Sequence, residues 1–305
     1  MKKILLGFVF TTLSLFAFDY NLKATKINDN TWCFLGHVAM PNETNGGFMS
    51  NNCFVQTKDS YIVVDSGGTY EYASQAYAVM KKIKDLPVKS VIATHEHDDH
   101  WLGNAFYKDK FNAKLYGPKS INENHKPGTK TRLMMMLPKE ITKNTRIVPI
   151  DEDIVKETTI EEGEVKVMMI PFDMKAHTSN DMFVYLPANK TVFSGDTVMS
   201  ERITSNRDGS VIGQIKAHKK MDDKGWLNLV PGHGHDTSKT AMDESRMYFK
   251  LLKERVMAAV EEDVGADEAH NHVKLAEFKD KVMFDTWNKR NIFDAYSELE
   301  FYEEE

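Results

Sequence analysis

Apolar positions recur along this chain with two periods that alternate in order. Short runs rich in β-branched and aromatic residues stand at 24–35, 53–57, 61–65, 88–94 and 114–116, and they read as strands. Between them Tyr72, Ala76, Val79, Met80 and Ile83 recur at helical spacing, which predicts a helix over Tyr70–Ile83. Strands return at 146–150, 165–171, 182–186 and 191–193, followed by a helix over 211–220 and a last strand at 227–230. The final third is helical. Residues 238–260 place Phe249, Leu252, Val256 and Val260 on one face, and 266–287 reads as a second helix. Two strand-rich halves, each ending in helices, predict an α/β fold in which two packed sheets carry helices outside, a four-layer αββα sandwich. With no long linker, the simplest division is one catalytic domain over 18–236 and a helical C-terminal extension over 237–305 packed on it.

Residues 1–17 stand apart from this pattern. Lys2 and Lys3 precede an apolar run of 13 residues, 4–16, and Ala17 offers a small residue for cleavage. This reads as a signal peptide cut near Ala17, which implies a periplasmic or secreted protein with no stable membrane span after cleavage. The run is short for a membrane span; an uncleaved anchor is the alternative. No cysteine stands at the cut to carry a lipid. The chain of 305 residues, 41% hydrophobic, can fill one large α/β domain. Without residues 1–17 there are 37 basic and 45 acidic residues, a balance that argues against nucleic acid as a partner. Cys33 and Cys53 fall in expected strands joined by a loop. Export permits a disulfide, two buried thiols are the alternative, and spacing does not choose between them.

The densest chemistry is His95-Glu96-His97-Asp98-Asp99-His100. His95 and His97 are two apart, so an extended backbone points both imidazoles to one side. Asp99 and His100 follow where the strand should turn into a helix. Zinc takes imidazole nitrogen and carboxylate oxygen, and four such groups within six residues can serve two neighbouring metals. Ala176-His177-Thr178, Gly195-Asp196-Thr197 and Gly232-His233-Gly234-His235 follow later strands, where loops gather ligands from distant parts of a chain. A lone histidine is more often structural; the order of the pieces carries the weight.

That order resembles the five motifs of the metallo-β-lactamase superfamily, over about residues 24–236. The resemblance implies the metallo-β-lactamase sandwich, with His95, His97 and His177 on one zinc, Asp99, His100 and His233 on a second, and Asp196 bridging. Asp196 stands where the common broad-spectrum β-lactamases of the family carry a cysteine thiolate. A carboxylate there is similar to glyoxalase-II-like hydrolases and lactonases. His100-Trp101-Leu102-Gly103-Asn104, Asp208-Gly209-Ser210 and the ending from Asn291-Ile292 to Leu299-Glu300 resemble exported members found with bacterial sulfur-oxidation and quinoprotein systems. This implies periplasmic redox or sulfur-oxidation partners. One departure is Ala176, where glycine commonly precedes the histidine.

The resemblance implies an exported dinuclear zinc metallohydrolase with two Zn2+ per chain. A shared hydroxide would attack a small-molecule thioester, lactone, ester or lactam, and Asp99 would be the catalytic residue that orients it. Alternative readings are a mononuclear iron persulfide dioxygenase, which needs only two histidines and a carboxylate, a β-lactamase, and a non-catalytic accessory protein of a redox relay. Residues 119–146 carry Lys119, Lys126, Lys130, Arg132, Lys139, Lys143 and Arg146 around Met134-Met135-Met136. They read as a helix with a Met-rich buried face, or else as a cationic lid. Residues 36–52 form a flap or a plain connection. Asp236 or Thr237 is the expected N-cap of the long helix. His235 is an outer partner of the metal site or faces solvent. His37, His125, His218, His270 and His272 lack companions at ligand spacing and read as structural or surface residues.

Overall fold

The computed structural model describes residues 18–303, so the signal segment expected over 1–17 lies outside the described residues. The first sheet runs β1 (Thr25–Asn28), β2 (Thr31–Phe34), β3 (Asn52–Gln56), β4 (Tyr61–Val64), β5 (Val88–Ile92), β6 (Lys114–Gly117) and β7 (Glu152–Asp153), in that spatial order. Its first four strands pair antiparallel and the rest parallel. The second sheet holds β8 (Thr158–Glu162), β9 (Val165–Pro171), β10 (Met182–Leu186), β11 (Thr191–Phe193) and β12 (Asn228–Val230), ordered β12-β11-β10-β9-β8. The helices are α1 (Tyr70–Ile83), α2 (Asp98–Trp101), α3 (Asn104–Phe111), α4 (Ser120–Asn124), α5 (Arg132–Met136), α6 (Val211–Asp222), α7 (Lys239–Glu261), α8 (Ala269–His272) and α9 (Phe284–Leu299). Among the described residues no helix is long and apolar enough to cross a membrane.

The layers follow from the two-residue period of a strand. Tyr61 and Val63 of β4 pack with Tyr72, Ala76 and Met80 of α1, while Ile62 and Val64 face Val184 and Leu186 of β10 between the sheets. Phe183 and Tyr185, on the other face of β10, meet Ala217 and Met221 of α6 and Ala241 and Met242 of α7. The result is the αββα order expected from the sequence. Cys33 and Cys53 stand opposite one another across β2 and β3 and form a disulfide within the inter-sheet core.

Several boundaries differ from the expectation. Residues 24–35 are a hairpin, turned at Asp29 and Asn30, with Asn30 N donating to Asn28 Oδ1 at 3.1 Å. No strand forms at 146–150, where Arg146 pairs with Asp109 and the edge strand is β7 instead. The half-exposed β8 has too weak an apolar alternation to be read in advance. The cap of α7 is Ser238, whose Oγ accepts from Thr240 N, and not Asp236 or Thr237. The helix expected over 266–287 is broken into α8, a 3-10 turn at Ala276–Phe278, and α9, which starts after a left-handed residue, Met283 (φ 66°). In 119–146 the buried face is Leu133, Leu137 and Ile141, while Met135 and Met136 are exposed, so no Met-rich buried face forms. This segment is tied to the histidine motif by Leu133 N, which donates to Asp98 Oδ2 at 2.6 Å.

Candidate metal centre

His95 leaves the end of β5, and His97 caps α2, which carries Asp99 and His100. His177 lies after β9, Asp196 in the 3-10 turn after β11, and His233 after β12. The structure brings all seven together as two groups: His95, His97, His177 and Asp196; and Asp99, His100 and His233. Within each group the ligand atoms lie within 4.8 Å of one another. Asp196 faces both groups. Its Oδ2 is 3.3 Å from His177 Nε2 and 3.2 Å from His233 Nε2, and its Oδ1 is 3.1 Å from His100 Nε2. Asp99 Oδ2 lies 3.4 Å from His233 Nε2. Gly232 permits this crowding, because a Cβ there would run into Asp196 Oδ1.

Each imidazole finds an oxygen for the nitrogen that faces away from the cluster. Asp65 Oδ2 accepts from His100 Nδ1 at 2.9 Å, and the Met49 carbonyl accepts from His233 Nδ1 at 2.9 Å. Asp208 Oδ2 lies 3.4 Å from His97 Nε2, Thr204 Oγ1 3.4 Å from His177 Nδ1, and Thr94 Oγ1 3.1 Å from His95 Nδ1. Placing the proton on the outer nitrogen leaves the inner lone pair free, which is how metal-binding histidines are held. Asp65 organises two of these links. It adopts a left-handed backbone (φ 55°), accepts from Thr94 N at 2.8 Å, and accepts from Thr94 Oγ1 at 3.0 Å.

Without a cation the arrangement carries uncompensated groups. His95 Nε2 is buried with no hydrogen-bond partner. His100 Nε2 and His233 Nε2 face one another at 3.4 Å although each outer nitrogen already carries a proton. Burial, helped by His100, pushes the His95 pKa well below the ordinary imidazole value. For Asp196 burial acts upward, but His233, His100 and His95 hold its carboxyl well below the usual range. At His100 burial is outweighed by the carboxylates of Asp196, Asp99 and Asp65, which raise its pKa well above the ordinary value. A buried imidazole and carboxylate donor set fits zinc.

Sequence reasoning missed Asp65, Thr94, Thr204 and the Met49 carbonyl, and noticed Asp208 only as part of a motif. Asp65 has a readable signal, an acid at a strand end before Ser66-Gly67-Gly68. A backbone carbonyl has none. The loop 36–52 is tied to the centre: Asn51 Nδ2 donates to the carbonyls of Pro231 and Gly234, and Ser50 Oγ to that of Asp99. His235 turns away and pairs with Glu201 at 2.8 Å. His218 is buried and bonds the Thr197 carbonyl at 2.7 Å. Asp65→Asn should weaken metal binding about 10–100-fold, the usual cost of losing the partner of a ligating histidine. Chelator competition measures this, and an unaltered affinity would limit Asp65 to supporting the Thr94 backbone.

The sequence profile of the metallo-beta-lactamase superfamily matches residues 45–255. The chain belongs to this superfamily. Two hydroxyacylglutathione hydrolases are related to it. That of Pelagibacter ubique is 30% identical over 151 residues, 48% of this chain and 53% of that protein. That of Brucella anthropi is 30% identical over 133 residues, 43% of this chain and 41% of that protein. The chain thus spans about half the length of the curated relatives it matches. Among solved structures, a metallo-beta-lactamase from Pontibacter korlensis superposes with a TM-score of 0.59 at 20% identity, over 75% of this chain and 99% of that one. The mono-zinc form of the metallo-beta-lactamase FIM-1 from Pseudomonas aeruginosa gives 0.58 at 19% identity, over 75% and 95%. These likenesses establish the metallo-β-lactamase fold.

Proposed function

We propose that this superfamily member is an exported dinuclear zinc hydrolase that cleaves an acyl bond of a small molecule. The observation that carries the reading is Asp196, a carboxylate lying between two groups of buried ligands and touching both. His95, His97 and His177 would hold one zinc, Asp99, His100 and His233 the other, and Asp196 would be shared. When bound, the metals supply Lewis acidity, making water nucleophilic near neutral pH and polarising the acyl carbonyl. The protein does the positioning. Asp65, Met49, Asp208, Thr94 and Thr204 lock the imidazoles, and Asp99 offers a carboxylate oxygen to accept a proton from the attacking water and aim it. The relatives named hydroxyacylglutathione hydrolases support an acyl substrate, a thioester first. The Cys33–Cys53 disulfide supports an oxidising compartment, in keeping with residues 1–17 read as a signal peptide and with periplasmic redox or sulfur-oxidation partners.

Metal analysis of the purified mature chain, with turnover measured on thioesters, lactones and lactams, tests the reading. The expected result is two zinc ions per chain and hydrolysis of at least the thioesters. One iron without zinc would overturn it in favour of persulfide oxygen chemistry.

A further inference from the structure

The segment that leads towards the edge strand β7 carries a charge opposite to that of the rest of the chain. Between residues 125 and 143 stand Lys126, Lys130, Arg132, Lys139 and Lys143 against one acid, Glu140. Setting these six apart from the 37 basic and 45 acidic residues beyond residue 17 leaves 32 basic and 44 acidic. All five cations are exposed. Lysines elsewhere on the surface meet acids, Lys89 with Asp59 at 2.9 Å, Lys108 with Asp151 at 2.8 Å and Lys239 with Asp243 at 2.6 Å. The flanking Lys119 and Arg146 are paired as well, with Glu123 and Asp109, whereas among the described residues no ion pair reaches the five between them.

The same segment shows two large apolar side chains to solvent. Leu133, Leu137 and Ile141 recur four apart and are buried, so α5 turns Met135 and Met136 outward, 67% and 46% exposed. The underside is fixed. Leu133 N donates to Asp98 Oδ2 at 2.6 Å, and Thr131 caps α5 by accepting from Met134 N. A Cβ at Gly68 would strike Leu133 and one at Gly47 would strike Leu137, so the segment lies directly on the loops around the metal centre. Its outward residues therefore stand on a firm base, and Arg132 also lines the cleft over His97, Asp99 and His233.

Cations around an apolar centre fit an anionic surface with an apolar layer beneath it. We propose that residues 126–143 are a docking face for an anionic phospholipid surface, with the lysines at the headgroup phosphates and Met135 and Met136 in the acyl boundary. Four of the five cations are lysines, which are depleted in interfaces with folded proteins but each add roughly fivefold to the affinity for an anionic lipid surface. A lysine is a flexible point charge that needs no fixed partner geometry, and a thioether adapts equally to a fluid layer. Arg132 belongs both to this face and to the wall of the cleft, so docking holds the mouth of the metal centre at the lipid surface. Docking in this way does not depend on what the metal centre cleaves.

The test is cosedimentation of the mature zinc-loaded chain with vesicles of equimolar phosphatidylglycerol and phosphatidylcholine, and with vesicles of phosphatidylcholine alone. Binding is expected on the first and not on the second. It should fall steeply with salt, since the screening length drops to about 3 Å at 1 M. Lys130→Gln, Lys139→Gln and Lys143→Gln together should weaken it about 100-fold. Met135→Ser with Met136→Ser should weaken it about tenfold or more and leave its salt dependence as it was. All five side chains are exposed, so circular dichroism and metal content should stay as in the wild type. Adsorption to anionic vesicles that is absent at low salt, or unchanged in the triple lysine variant, would overturn the proposal. A loss in the lysine variant with none in the methionine variant would also overturn it, in favour of an acidic protein as the partner. Should a variant not fold, the wild type decides: equal binding to both kinds of vesicle overturns the docking face, and a preference for the anionic ones that salt abolishes supports it.

Discussion

Asp196→Ala is expected to leave one zinc per chain instead of two and to lower kcat/KM by at least about 10²–10³-fold, the cost of removing one preorganised electrostatic group from an active site. The loss should sit at or beyond the upper end, because this carboxylate serves both ligand groups. Its oxygens lie 3.1 Å from His100, 3.2 Å from His233, 3.3 Å from His177 and 3.7 Å from His95. Without it, no single residue joins the groups, and the buried imidazoles lose the charge that balances a cation. Asp196→Asn separates shape from charge: it keeps the volume, removes the charge, and should lose zinc as well. Elemental analysis, circular dichroism and turnover together decide the matter. A folded Asp196→Ala protein with two zincs and unchanged turnover would sink the assignment.

The ligands were legible in the sequence because each follows a strand whose apolar run can be read. Strand period and donor chemistry there point to the same residues, from His95 after β5 to His233 after β12. What holds the ligands was legible only in part. Asp65 acts through a left-handed backbone and a contact to His100 thirty-five residues away, and Met49 acts through a carbonyl that every residue has. The C-terminal extension is helical as expected, but its unbroken helix over 266–287 does not form, for a different reason. Ala269, Val273, Leu275 and Phe278 pack into one cluster with α7 and α9, so short turns satisfy an apolar spacing that a single helix would also have met. With α9 unread, Trp287 could not be placed at the cleft. Arg202 carries no motif at all; its place at the cleft comes from Val282 and Asn291, which hold its loop.

Replacing both Cys33 and Cys53 by alanine should cost about 3 kcal/mol of stability, from the entropy released to the unfolded chain when a loop of this length is opened. The two residues are 20 apart in sequence. At roughly 2–4 °C per kcal/mol for a domain of this class, the melting temperature should fall by roughly 6–12 °C. The bridged segment contains Met49, Ser50 and Asn51, which hold His233, the Asp99 backbone and the Pro231–Gly234 turn. Two effects can therefore be told apart. If the bridge acts through the unfolded chain, zinc affinity in the folded variant stays near wild type, since the native loop keeps its own hydrogen bonds. If the bridge also pulls the loop against the centre, zinc affinity falls as well. The first outcome is the expected one, because the anchors from Ser50 and Asn51 are 2.6–2.9 Å long and buried, and none of them uses a cysteine. Thermal unfolding with and without zinc, paired with chelator competition, measures both quantities. A melting temperature unchanged by the double replacement would remove the bridge from the account of stability.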